Sequence, residues 1–284
     1  MSTNHSQYVG VFDSGVGGLS VLREIHRLLP RVPLFYIADQ AHVPYGKRQL
    51  EEIRAFSLTI SRFLLSKGAQ LIVVACNTAS AAALTALRET LTGTPFVGME
   101  PAVKPATEQT SNGIVGVLAT PATFQGRMYS TLAEQFAHNV TLLTDTLPGL
   151  VEAVERGELT SPATRRILEI AIRPMLAQGA DTLVLGCTHF PFVLPLIREI
   201  AGPEVKVIDP APAIARRTAY LLKQSAIFIA TGAEVQPVFA TTGDTAQFKN
   251  AIHNLLDIKA EPNQLAWNET SDQLTEMRNQ ACQK

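Results

Sequence analysis

Apolar residues are distributed along this chain in two alternating forms. Short unbroken runs cover Tyr8–Phe12, Leu34–Ala38, Leu71–Ala75 and Phe96–Gly98, then Gly113–Leu118, Val140–Leu143, Leu183–Leu185 and Val205–Ile208. Such runs are too short for a helix core and suit strands buried on both faces. Between them lie stretches with helical spacing: Leu19–Leu29, Glu51–Lys67, Ala79–Leu87, Phe124–Ala137, Leu147–Arg156, Ala163–Ala177, Phe192–Ile200 and Ala213–Lys223. A last strand-like stretch, Pro237–Thr241, is followed by a helical one, Ala246–Leu256. Pro30 and Pro33 close the first helix, and Gly68 stops the second. Pro44 and Gly46 make His42–Lys47 a loop. Strands alternating with helices predict an α/β fold, doubly wound, with mainly parallel sheets.

The pattern restarts after Gly98. Gly10-Val-Phe-Asp-Ser14 matches Gly116-Val-Leu-Ala-Thr120, and Ala75-Cys-Asn-Thr78 matches Gly186-Cys-Thr-His189. Each half thus has a polar strand end first and a cysteine strand end later. Two similar domains are expected, pseudo-twofold related, with their strand ends facing one another across a site. Residues 1–98 plus 210–258 form the first and 99–209 the second. Residues 259–284 are polar, with no periodicity beyond a short helix, and are expected to be a surface tail.

The chemistry sits at those strand ends. Leu71-Ile-Val-Val-Ala-Cys-Asn-Thr78 runs from a buried strand into an alanine-rich helix. Cys76 therefore falls where free N–H groups favour negative charge, which predicts a thiolate. Cys187 repeats the arrangement. Two cysteines on opposite sides of one small substrate could each handle one proton and so invert a carbon next to a carboxylate. Ser14, Asn77, Thr78 and Thr188 are neutral donors suited to carboxylates, and Asp13 supplies an anion for an ammonium group. His189, two residues after Cys187, is a candidate thiol partner. No cofactor is required, and no cysteine or histidine spacing suggests zinc.

Composition narrows the field. The 284 residues are 46% hydrophobic and 17% charged, with net charge −1, so nothing electrostatic favours nucleic acid or an anionic membrane. No apolar run approaches the roughly 20 residues of a membrane span, and Met1–Gln7 lacks a signal-peptide core. Three cysteines, Cys76, Cys187 and Cys282, have no framework spacing, which points to the reducing cytoplasm. Two other readings compete. A dinucleotide site at Gly15, Gly17 and Gly18 has the right order but not the Gly-x-Gly-x-x-Gly spacing. A cysteine amidase or hydrolase would use Cys187 and His189 and leave Cys76 without a role.

Phe12-Asp-Ser-Gly-Val-Gly-Gly-Leu-Ser-Val21, Pro44-Tyr-Gly46, Val74-Ala-Cys-Asn-Thr-Ala79 and Leu185-Gly-Cys-Thr-His-Phe-Pro191 together resemble the bacterial glutamate racemases, from about Val9 to Ile258. Aspartate racemases share the two-cysteine plan, but Thr188-His189 favours the glutamate enzymes. The resemblance implies cofactor-independent interconversion of L- and D-glutamate, supplying D-glutamate for peptidoglycan. It makes Cys76 the acid/base for the D-glutamate proton and Cys187 for the L-glutamate proton. Asp13 and His189 are implied as their assistants. Asp13, Ser14, Tyr45, Gly46, Asn77, Thr78, Thr188 and His189 are implied to line the substrate site. A further glutamate assists in some members; Glu152 and Glu155 are the two candidates here, and Glu155 fits the motif better. The family also admits a homodimer and a peptidoglycan-precursor effector.

Overall fold

The computed structural model describes residues 7–225, 233–270 and 272–277. In chain order the first part contains β1 (Tyr8–Asp13), α1 (Leu19–Leu28), β2 (Leu34–Ala38), α2 (Leu50–Ser66), β3 (Ala69–Val74), α3 (Asn77–Thr90) and β4 (Phe96–Gly98). Then come α4 (Val103–Gln109), β5 (Ile114–Ala119), α5 (Pro121–Gln125), α6 (Arg127–Phe136), β6 (Thr141–Asp145), α7 (Leu150–Glu155), α8 (Pro162–Ala177), β7 (Thr182–Gly186), α9 (Leu194–Ala201) and β8 (Lys206–Ile208). The last described elements are α10 (Ala211–Gln224), β9 (Val238–Thr241), α11 (Thr245–Leu256), β10 (Asn263–Trp267) and β11 (Leu274–Glu276).

Two sheets organise these elements. One has the order β11-β10-β9-β2-β1-β3-β4 and the other β6-β5-β7-β8. The quartets β2-β1-β3-β4 and β6-β5-β7-β8 have the same order, and every pairing within them is parallel. The repeat seen in the motifs is thus a repeat of topology. In both quartets the strand order reverses at the centre, between β1 and β3 and between β5 and β7. Ligands of open α/β sheets bind outside the carboxyl ends at that switch point. Asp13 ends β1, and Cys76 follows β3; Thr120 follows β5, and Cys187 follows β7.

Burial explains why the runs become strands. β1, β2 and β7 are buried at every position, with helices on both faces. Each fully buried Val, Leu or Ile there contributes about 1.5–3 kcal/mol. The core is continuous between the halves, extending from Val9, Leu22 and Tyr36 to Leu118, Leu150 and Leu185. Two glycines let the halves approach: a Cβ on Gly46 would lie 3.0 Å from Thr120 Cβ, and one on Gly126 would lie 2.7 Å from Ala81 Cβ.

Three expectations change. The stretch 259–277 is not a surface tail: β10 pairs in parallel with β9, and β11 antiparallel with β10. Leu265 and Leu274 anchor it in the core with Trp267 packed beside them, while most other positions are polar. The helix expected over Phe124–Ala137 is divided at Gly126, whose extended backbone caps α6. The loop His42–Lys47 contains one 3-10 turn, Tyr45–Lys47. Cys282 lies outside the described residues.

Asp181 holds the loop between α4 and β5. Its carboxylate accepts from Thr110 Oγ1 at 2.6 Å and from the N–H groups of Ser111 and Asn112 at 2.7 and 3.1 Å. Slight burial alone would raise its pKa, but these donors hold it well below the usual carboxylate range. Asp181→Ala is expected to cost about 1–3 kcal/mol in urea unfolding at pH 7. A depressed folded pKa stabilises above the unfolded value, so the difference should vanish as the pH falls through that folded pKa.

Candidate active site

The carboxyl ends of the two central strand pairs enclose one cavity of about 130 Å³. That is smaller than the roughly 300–1,000 Å³ of drug-sized sites and suits a small metabolite. Ser14, Tyr45, Gly46, Cys76, Asn77, Thr78, Cys187, Thr188 and His189 all line it. Cys76 and Cys187 come from pseudo-equivalent positions in opposite halves and share this cavity. They are 4% and 6% exposed, so each sulfur is shielded from bulk water.

The two thiols are supported differently. Cys76 is the N-cap of α3, and its Sγ accepts from Ala79 N–H at 3.4 Å. Ser14 Oγ lies 4.0 Å away. The sequence predicts a thiolate here, and the structure reverses that expectation. Burial is the larger influence, the neighbouring Asp13 carboxyl adds to it, and together they outweigh the helix N–H and push the Cys76 pKa up. Cys187 precedes a 3-10 turn, Phe190–Val193, rather than an α-helix. Its partner is His189, with Nδ1 3.6 Å from Sγ. His189 Nε2 meets Glu155 Oε1 at 2.7 Å. Burial alone would lower the His189 pKa, but the bonds to Cys187 and Glu155 prevail and hold it well above 6.5.

Asp13 does not line the cavity. It is fully buried behind Ser14 and Cys76, accepting from Ser14 N–H at 2.6 Å, from Thr188 Oγ1 at 3.3 Å and from Gly18 N–H. Burial pushes its pKa up, against the opposing pull of His189. The two glutamates divide. Glu155 stands behind His189 and also accepts from Val16 N–H at 2.8 Å. Glu152 lines the cavity itself and pairs with Lys47 Nζ at 2.5 Å.

The glycines after β1 serve this packing. A Cβ on Gly15 would collide with the Glu155 carboxylate, and one on Gly17 would stand 2.6 Å from Thr188 Oγ1. These residues admit the acid and the histidine; they do not cradle a diphosphate.

The motifs miss Thr120 and Lys47. Thr120 Oγ1 joins Thr78 Oγ1 at 2.8 Å across the two halves. Its signal was present, because the repeat aligns Thr120 with Ser14. Asn77 has both amide atoms buried with no protein partner. Each unmade bond costs about 1–3 kcal/mol, so this side chain is held ready for a ligand. Asn77→Leu is expected to raise thermal stability by about 1 kcal/mol. It should also raise KM, measured by steady-state kinetics.

Among the described residues, no group of three or more His, Cys, Asp or Glu side chains could hold a metal ion. No helix among them is long and apolar enough to cross a membrane.

The family model for Asp/Glu/hydantoin racemases matches residues 9–218. A glutamate racemase of Ectopseudomonas mendocina (strain ymp) is 47% identical over 259 residues, which is 91% of this chain and 98% of the relative. The solved structure of a glutamate racemase isoform from Bacillus anthracis superposes with a TM-score of 0.83 at 33% identity, covering 92% of this chain and 98% of that one. The Escherichia coli glutamate racemase, solved with L-glutamate and the activator UDP-MurNAc-Ala, gives 0.79 at 33% identity, over 90% and 97%. The chain belongs to the Asp/Glu/hydantoin racemase family and, within it, stands with the glutamate racemases.

Proposed function

We propose that this chain interconverts L- and D-glutamate by removing the α-proton with one cysteine and returning a proton to the opposite face with the other. The observation that carries the reading is the pair of sulfurs brought to one small cavity by pseudo-equivalent strand ends. In the L-to-D direction Cys187 takes the proton, with the Nδ1–H of His189 beside its sulfur. Cys76, held as a thiol by burial and Asp13, delivers its own proton to the other face. In the D-to-L direction the roles exchange. The neutral donors Ser14, Asn77, Thr78 and Thr188 hold the carboxylates and stabilise charge that builds up as the α-proton leaves. Tyr45 and Gly46 close one wall.

Residues 1–98 with 210–258, extended by β10 and β11, act as one domain and 99–209 as the other, with the substrate held between them. The activity belongs in the cytoplasm and supplies D-glutamate for peptidoglycan. A peptidoglycan precursor is a candidate effector, as the activator bound to the Escherichia coli relative suggests. The test is incubation of L- or D-glutamate with the purified protein in deuterated water, with no added cofactor. Loss of optical rotation with deuterium at the α-carbon is expected. Unchanged rotation, together with ammonia release in a parallel incubation with a small amide in place of glutamate, would favour the hydrolase reading instead.

A further inference from the structure

We propose that Asp39 and Trp267 are positioning residues for this site: β10 and the turn after β9 hold, through the Asp39 carboxylate, the loop that carries Tyr45 and Gly46. Asp39 is fully buried directly after β2, and its N–H donates to Asp13 O at 2.9 Å. Its two oxygens meet four groups. Oδ2 accepts from Tyr45 OH at 2.6 Å and lies 2.9 Å from His42 Nδ1. Oδ1 accepts from Trp267 Nε1 at 2.7 Å and from Thr242 Oγ1 at 2.8 Å. A carboxylate has about four acceptor sites, so this one is saturated. One oxygen faces the substrate loop, and the other faces the C-terminal segment.

Packing repeats the same connection. The His42 ring stacks on Phe56 at 3.9 Å, and Trp267 meets His42 at 5.1 Å and Phe56 at 5.6 Å. Arg48 Nε donates to His42 O at 2.5 Å and fixes the far side of the loop. Trp267 reaches this point because β10 is the parallel neighbour of β9, which is the neighbour of β2. The stretch that reads as a tail thus ends in a hydrogen bond to the residue that orients a wall of the cavity. Tyr45 and Gly46 line that cavity and Asp39 does not, so Asp39 and Trp267 act through the loop.

The inference rests on the racemase reading for its kinetic arm only. Trp267→Phe removes the N–H donor and keeps an aromatic ring. Leu274→Ala, in the strand paired with Trp267, weakens the same sheet edge but removes no bond to Asp39. Hydrogen-exchange mass spectrometry is read on the loop 42–47 in both variants and the parent. Trp267→Phe should lose loop protection. It should also raise KM for both enantiomers about three- to tenfold, the cost of reordering the loop when substrate binds. Its kcat should stay within about twofold of the parent. Leu274→Ala should lower Tm and leave both loop protection and KM near parental values. Where Trp267→Phe does not accumulate folded, His42→Phe removes the Asp39 contact from the loop side and keeps the stack on Phe56. Unchanged loop protection in Trp267→Phe overturns the inference, as does a KM rise in Leu274→Ala as large as in Trp267→Phe. A parent protein that fails to racemise glutamate sinks the functional reading and leaves the exchange arm to decide this one.

Discussion

Cys76→Ala is expected to lose inversion by about 10²–10⁴-fold in kcat/KM while still exchanging the α-proton of L-glutamate with solvent. With the acceptor-side acid gone, Cys187 can still remove the L proton and return a deuteron to the same face. Exchange with retention should therefore outlast racemisation. Cys187→Ala should show the mirror behaviour, with exchange confined to D-glutamate. The readings are the polarimetric rate and the rate of α-proton loss by proton NMR, taken on the same sample. The prediction depends on the two sulfurs facing one cavity from opposite halves. It also separates the classes of mechanism. A cysteine hydrolase built on Cys187 and His189 would be indifferent to Cys76, so a fully active Cys76→Ala protein would falsify the two-base scheme. Both variants should fold, since alanine leaves only a small void at these positions and neither sulfur is part of a disulfide.

Glu155→Gln should lower kcat/KM at neutral pH by about ten- to a hundredfold and move the alkaline limb of its pH profile to lower pH. The sign follows from His189. Burial pulls its pKa down, and the bonds to Cys187 and to the Glu155 carboxylate carry it well above the ordinary value. A neutral amide removes the charge behind Nε2, so His189 gives up its proton at lower pH and the Nδ1–H beside Cys187 is lost sooner. Gln retains an oxygen for Val16 N–H, so the turn after β1 keeps its contact. Stability should follow the same linkage. A histidine pKa raised by folding stabilises fully below the unfolded value near 6.5, and that contribution is lost as the pH rises through the folded pKa. The Tm difference between parent and Glu155→Gln should therefore be largest in mild acid and shrink in alkali. A uniform Tm deficit with an unshifted pH profile would show Glu155 to be packing alone.

Much of this site was legible because its chemistry is local in sequence. Asp13-Ser14, Asn77-Thr78 and Thr188-His189 each lie within a few residues of a strand end, Tyr45-Gly46 lies on the loop that follows one, and parallel sheets bring strand ends together. The two-sheet repeat followed from motif alignment alone. What escaped depends on contacts between distant segments. The Cys76 pKa is set by how deeply it sits against Asp13, and the run Leu71–Ala75 does not encode that depth. Glu152 and Glu155 differ by less than one helical turn, yet one lines the cavity and the other stands behind His189, which follows from how α7 is rotated. β10 and β11 were illegible because, at this end of the sheet, each buries only one side chain, Leu265 or Leu274, and carries no apolar run to mark it. α4 was missed for a related reason: it is short, holds Pro105, and buries only Val103 and Ala106.

Trp267 is the chain's single tryptophan, and it stands beside the imidazole of His42, behind the loop whose Tyr45 and Gly46 line the cavity. Light absorbed selectively by indole is therefore emitted from this one place. The molecule carries its own optical reporter of the catalytic wall, and substrate titrations can be followed by intrinsic emission without attaching a dye.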